Sequence, residues 1–250
     1  VNGSIKIGSI LGITLRLHWV LLVMFGVLVF VFHEPPLVLA ILFGCVLLHE
    51  LGHSLVALAF GIRVIDITLW PLGGMARMSQ IPESTRIEGL IAIAGPAVNF
   101  LLALIGFLLG MPWDEPGSQL LFWFVAVNLV MGLFNLLPAF PMDGGRLLRA
   151  FMGRNGNWLA ATESAVRIGR WFALLLAVLG LTGIPGVLAP NFALPLVALF
   201  IWMSGYQELA SMRARKASAV IRERTGFTEA EIAALERFRG RISQPPPDER

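Results

Sequence analysis

The stretch Leu37-Val38-Leu39-Ala40-Ile41-Leu42-Phe43-Gly44-Cys45-Val46-Leu47-Leu48-His49-Glu50-Leu51-Gly52-His53-Ser54-Leu55-Val56-Ala57-Leu58-Ala59-Phe60 decides how this chain is read. It is long enough to cross a bilayer as one helix and carries a single acidic residue. Two histidines at i and i+4 share one helical face and can grip one metal ion. The glutamate between them can then work on a water that the metal acidifies. An ionisable group inside such a run costs at least ~2.5–3.5 kcal/mol on insertion scales. A cost of that size is rarely borne without a function. The stretch therefore points to metal-dependent hydrolysis inside a membrane.

Composition agrees. Of 250 residues, 56% are hydrophobic and only 14% are charged, and the mean hydropathy is +0.77. A soluble domain carries about 25% charged residues. The chain reads as an integral membrane protein, and a net charge of +3 is weak support for a nucleic-acid partner. The single cysteine, Cys45, excludes an intrachain disulfide and leaves the redox compartment open. Valine at position 1 suggests a fragment of a longer chain.

Six apolar spans can be drawn, at Leu17–Phe32, Leu37–Phe60, Ile87–Met111, Leu120–Leu137, Trp171–Leu188 and Phe192–Met212. No small-x-small cleavage site follows the first, so it reads as a retained span. Every Lys and Arg falls before span one, between two and three, between four and five, or after six. The other loops carry only Glu34, Asp114 and Glu115 among charges. Positive residues stay cytoplasmic. The expected fold is an all-α polytopic membrane protein of six transmembrane helices, with both termini cytoplasmic, in the cell membrane.

The chain divides into an N-terminal strand segment (1–16), a six-span core (17–212) and a cytoplasmic basic and amphipathic tail (213–250). Ile13-Thr14-Leu15-Arg16-Leu17 alternates in strand fashion, as do residues 62–70. Pro71-Leu72-Gly73-Gly74 supplies a turn and Met75–Ser79 can return, which makes 62–79 a β-hairpin region. A small cytoplasmic-side sheet is expected, with an amphipathic surface loop as the alternative. In the tail, Thr228–Glu231 has capping-box form ahead of a short amphipathic helix.

Zinc hydrolases take three protein ligands and leave one position for water. His18 and His33 lie far from the paired histidines in the topology. The attractive third ligand is Asp143, in the Asp-Gly loop 135–145, Asn135-Leu136-Leu137-Pro138-Ala139-Phe140-Pro141-Met142-Asp143-Gly144-Gly145. Two prolines break the helix there, and irregular backbone at that depth is tolerated where it lines a cavity. Gly144 and Gly145 allow a sharp turn. On spacing alone, Asp143 is equally readable as a turn residue at the membrane border.

Taken together, these motifs resemble the site-2 protease family of intramembrane metalloproteases, and most closely its compact prokaryotic six-span branch. His49-Glu50-Leu51-Gly52-His53 matches HExxH, and Asn135 through Gly144 matches N-x-x-P-x-x-P-x-D-G. Gly95-Pro96-Ala97-Val98-Asn99 resembles a third family motif, and Leu69–Gly74 falls where that branch has a β-hairpin. The resemblance implies one Zn2+ per chain held by His49, His53 and Asp143, with Glu50 as general base. It implies that Asn135 and Asn99 hold the substrate backbone or polarise the scissile carbonyl. A strand edge around Leu69 and Leu72 could hold an unwound substrate by β-addition. The implied activity is a zinc metalloendopeptidase in regulated intramembrane proteolysis. Its partners would be a membrane-protein substrate with a transmembrane segment, the lipid bilayer and a regulatory membrane protein, with no nucleic acid. Some relatives carry a nucleotide-sensing pair of domains after the last span; the residues after Met212 are too few for one. Two rivals stand beside this reading. A metal transporter or sensor has no need of Glu50 between two ligands, and a silent scaffold has no need of the full set.

Overall fold

The computed structural model describes residues 3–71, 73–79, 83–110, 118–183, 189–226 and 231. The chain opens with a hairpin of β1 (Ser4–Ile10) and β2 (Ile13–His18), closed by Leu11 and Gly12, both at positive φ. Two such residues form the tight turn whose twist suits a hairpin. Helix α1 (Trp19–Phe30) follows, then α2 (Pro36–Ala59), which starts on a proline where a missing N–H costs nothing. Strands β3 (Val64–Trp70) and β4 (Gly73–Met78) come next. Helices α3 (Thr85–Leu108), α4 (Ser118–Asn135), α5 (Asp143–Met152), α6 (Trp158–Thr182) and α7 (Ala193–Thr225) complete the described fold, with one 3-10 turn at Gly153–Asn155.

The strands form one four-stranded sheet in the order β1-β2-β3-β4. The outer pairs are antiparallel, and β2 lies parallel to β3 with Thr14 opposite Asp66 and Leu17 opposite Leu69. Ile13, Leu15, Val64 and Ile67 bury one face against Ala57 and Ile91 of α2 and α3. Asp66 is 1% exposed yet paired on both sides. Arg77 Nε on β4 donates to its Oδ1 at 2.8 Å, and Arg16 Nε on β2 lies 3.2 Å from Oδ2. The Arg77 hydrogen bonds hold the Asp66 carboxyl below the usual carboxylate range, against the opposing effect of burial.

Polarity is distributed inside out. Ser54, Asn99, Asn128 and Thr162 are fully buried, whereas Phe30, Leu108, Leu133, Trp171 and Phe192 are widely exposed. A chain in water would reverse this, and a chain in lipid favours small and hydrogen-bonding residues at its helix contacts. Gly52 shows why size matters: a Cβ there would lie 3.0 Å from the Ala94 carbonyl oxygen of α3.

Among the described residues, four helices are long and apolar enough to cross a membrane: α2, α3, α6 and α7. The other two apolar helices, α1 and α4, are shorter. The helix that carries the fifth expected span begins before the span does. Helix α6 begins at Trp158, not Trp171, with Asn157 Oδ1 accepting from Ala160 N–H. Glu163, Arg167 and Arg170 interrupt the apolar run in sequence, but they ride on a helix whose buried stripe is Ala161, Ala165, Val166 and Gly169. The sixth helix does not stop at Met212. It runs on to Thr225 through the basic residues that read as a tail, because neither glycine nor proline stands between Met212 and Gly226 (φ +71). Apart from Glu231, the amphipathic tail helix lies outside the described residues, as does Leu72.

Candidate metal centre

Helix α2 carries His49 and His53 one turn apart, with rings edge-on and centroids 4.7 Å apart. Both are buried. His53 Nδ1 donates to the Ile91 carbonyl oxygen at 2.6 Å, and His49 Nδ1 lies 2.6 Å from Asn99 Oδ1. A carbonyl oxygen only accepts, so each ring carries its proton on Nδ1 and turns a lone pair outward at Nε2. The two Nε2 atoms are 3.1 Å apart.

Asp143 completes the group. Its Oδ2 lies 3.2 Å from His49 Nε2 and 3.1 Å from His53 Nε2. That oxygen is buried and has no hydrogen-bond partner. With both rings neutral, three acceptor atoms face one another. Two imidazoles with one carboxylate are a fitting donor set for zinc with a position left for water. Among the described residues this is the one cluster of three or more His, Cys, Asp or Glu able to share a metal ion.

Asp143 is delivered differently from the loop that its sequence suggests. It is the first residue of α5, and the irregular stretch ends before it at Met142. Gly144 and Gly145 are helical and lack positive φ. Their role is close approach. A Cβ at Gly145 would lie 2.6 Å from the Ala139 carbonyl carbon, and one at Gly144 would overlap the Leu136 and Leu137 carbonyls. The broken stretch therefore lies directly against the first turn of α5. Arg146 Nη1 stands 4.0 Å from the other oxygen of Asp143.

Arg149 braces this helix. Its Nε donates to Glu88 Oε1 at 3.0 Å, its Nη1 donates to Glu208, and its guanidinium lies 5.1 Å over the Phe140 ring. The network joins α3, α5, α7 and the broken stretch at one buried residue. Burial opposes the Arg149 charge, but Glu88 and then Glu208 override it and hold its pKa above the ordinary value.

Glu50 and His53 line a cavity of about 460 Å3 together with Met78, Arg146, Arg149 and Glu208. Its charged lining gives water a route to Glu50. Gly74 of β4 packs on that glutamate: a Cβ there would lie 3.0 Å from Glu50 Cδ. Gly95 packs on the histidines in the same way. Sequence reasoning took Gly74 for a turn residue and gave Gly95 no separate role.

The other candidates fall outside the triad. Asn99 is fully buried behind His49. Asn135 ends α4 with its Nδ2 donated to the Met131 carbonyl at 3.0 Å. Leu69 is 6% exposed on a strand flanked on both sides, so the free edge of the hairpin belongs to β4 and not to β3.

Comparison with known proteins places this geometry. Residues 37–115 and 114–177 match the model of peptidase family M50. A zinc metalloprotease of Methanocaldococcus jannaschii is 38% identical over 217 residues, covering 83% of this chain and 61% of the relative. Stage IV sporulation protein FB of Bacillus subtilis is 31% identical over 142 residues, covering 56% of this chain and 49% of that protein. The chain spans less than two thirds of the length of the curated relatives it matches most fully. The solved site-2 protease from Methanocaldococcus jannaschii superposes with a TM-score of 0.62 at 36% identity, covering 82% of this chain and 95% of that structure. With its apolar exterior and its helices of membrane-spanning length, this membrane protein belongs to peptidase family M50, the site-2 protease family.

Proposed function

We propose that the chain is a multi-pass zinc endopeptidase of the cell membrane that cuts a peptide bond within or beside the bilayer, in regulated intramembrane proteolysis. The observation that carries this reading is the unpartnered Asp143 Oδ2 facing two imidazole lone pairs. His49, His53 and Asp143 would hold the zinc. Bound there, zinc acidifies a water and polarises a carbonyl. Glu50, open to the cavity, takes a proton from the attacking water on its carboxylate and returns it to the leaving amine. The Ile91 carbonyl and Asn99 fix the ring orientation of the two histidines. An unwound substrate lies along the free edge of β4, which Gly74 brings against Glu50.

Six crossings with cytoplasmic termini fit the sheet. Strands β2 and β3 lie side by side, so α1 and α2 must leave and return to one face. Helix α2 is about 36 Å long at 1.5 Å per residue. Helix α1 is roughly 18 Å long, and the link before α2 turns the chain back at once, with Glu34 N–H donating to the Leu28 carbonyl at 2.9 Å. The substrate would carry a transmembrane segment, and a regulatory membrane protein would control access.

The test is Glu50→Gln beside wild type, with zinc per chain and cleavage of single-span substrates measured together. One zinc in each and cleavage by wild type alone supports the reading. Absence of zinc from wild type after metal supplementation rejects the ligand assignment.

A further inference from the structure

Behind the metal centre lies a chain of buried amides that the proposed chemistry does not use. Asn99 Nδ2 donates to Asn128 Oδ1 at 2.9 Å, and Asn128 Nδ2 donates to the Phe124 carbonyl at 2.8 Å and to Cys45 Sγ at 3.1 Å. Asn99, Asn128 and Cys45 are at most 1% exposed. The run crosses from α2 through α3 to α4, over sequence separations of 50, 29 and 83 residues.

The direction of every bond in this run is forced from one end. The Phe124 carbonyl can only accept, so Asn128 must turn its NH2 toward it. That leaves Asn128 Oδ1 for Asn99, which must answer with its own NH2. Asn99 then has only its oxygen for His49, so His49 must donate from Nδ1, and its neutral ring carries the lone pair on Nε2. His53 needs no such device, because the Ile91 carbonyl faces its Nδ1 directly.

The alternative shows why the device matters. If the Asn99 amide turned over, it would donate to His49 Nδ1 and move the ring proton to Nε2. That proton would sit on a nitrogen 3.2 Å from Asp143 Oδ2, an oxygen with no other hydrogen-bond partner among the described residues. The two ligand atoms would then be tied to each other by a hydrogen bond, and a metal ion would have to break it.

We infer that Asn128 is a positioning residue that sets the tautomer of His49 through Asn99 and so keeps the three ligand atoms bare for a metal. This rests on the ligand assignment above only for its consequence; the tautomer itself is a property of the metal-free protein.

The full chain, purified in detergent with 15N-labelled histidine and stripped by a chelator, reports the tautomer through its ring nitrogen resonances near neutral pH. His49→Gln and His53→Gln assign the signals. Wild type shows both rings protonated on Nδ1. In Asn128→Leu the His49 proton moves to Nε2, wholly or in part, while His53 is unchanged and serves as the internal control for folding. Adding Asn99→Asp to Asn128→Leu returns the proton to Nδ1, because a carboxylate accepts whichever way it is turned. Zinc affinity by chelator competition falls about 10-fold or more in Asn128→Leu and recovers in the double variant. A His49 ring still protonated wholly on Nδ1 in Asn128→Leu overturns the inference. Failure of wild type to bind zinc counts against the ligand assignment and leaves the tautomer result standing.

Discussion

Gly95 stands so close to His49 that a methyl group in place of its hydrogen would lie 2.7 Å from the ring carbon Cε1. The same group would overlap the His53 imidazole. Gly95→Ala therefore pushes both rings off their common point while leaving every ligand present. Zinc content after dialysis against a weak chelator should fall by ~10-fold or more, as it does when the groups orienting a ligand are lost. Zinc retention equal to wild type would show that α3 yields instead of the rings.

Gly74→Ala acts first on Glu50. The three atoms nearest the added methyl all belong to the glutamate side chain. Cleavage should fall by about 10²-fold or more, in line with the usual contribution of a positioned general base. Zinc binding should hold at one per chain. A parallel loss of zinc would mean that β4 shifts α2 as a whole.

Chelation and re-addition test the acceptor triad. Stripped protein should lose all cleavage and regain it with zinc. Asp143→Asn should stay folded but fail to retain zinc at equimolar metal, since an amide oxygen is a poorer ligand than a carboxylate. Full occupancy in Asp143→Asn, measured by elemental analysis, would remove Asp143 from the ligand set.

Arg149 is a stability residue as well as a brace. Arg149→Met takes the hydrogen-bonded partner from Glu88, 5% exposed, and leaves only Arg146 Nε beside it at 3.9 Å. Breaking a buried ion pair from one side costs about 3–5 kcal/mol. Thermal unfolding in detergent should show a large fall for Arg149→Met and a smaller one for Arg149→Met with Glu88→Leu. Equal falls would show that Glu88 finds water when its partner goes.

Asp66 predicts an acid limb to stability. Its folded pKa is depressed, so its contribution is present above the ordinary carboxylate pKa and is lost as pH falls through the folded value. Unfolding midpoints measured from neutral pH downward should decline in wild type and decline less steeply in Asp66→Asn. Parallel slopes would assign the acid loss to other carboxylates.

These tests divide along the line of what the sequence discloses. HExxH announces itself because helical spacing and chemistry coincide within five residues. Asp143 is legible because prolines and glycines beside an aspartate are costly in a span. The strands show by alternation at Ile13–Leu17 and Ile62–Trp70, although order and parallel pairing do not. Gly74 and Gly95 are silent, since a glycine that makes room looks like a glycine that turns. Glu88, Arg149 and Glu208 meet across 61 and 59 residues, and no local pattern announces such a meeting. The start of α6 at Trp158 is hidden for a related reason. Hydropathy marks where Arg167 and Arg170 interrupt the apolar run, not where a helix begins.

The parallel pairing of β2 with β3 also orders events during synthesis. These strands are neighbours in space but are separated along the chain by α1 and α2. They cannot meet until the chain has travelled out and back, and closure of that long loop is slow relative to a hairpin. Strand β4 pairs on β3 as a local hairpin and brings Gly74 to Glu50, while the full four-stranded frame waits for β3 to reach β2. A nascent chain with α2 made but α5 still to come holds its histidines and glutamate without Asp143. The three candidate ligand atoms cannot share one point until the chain has grown past Met142.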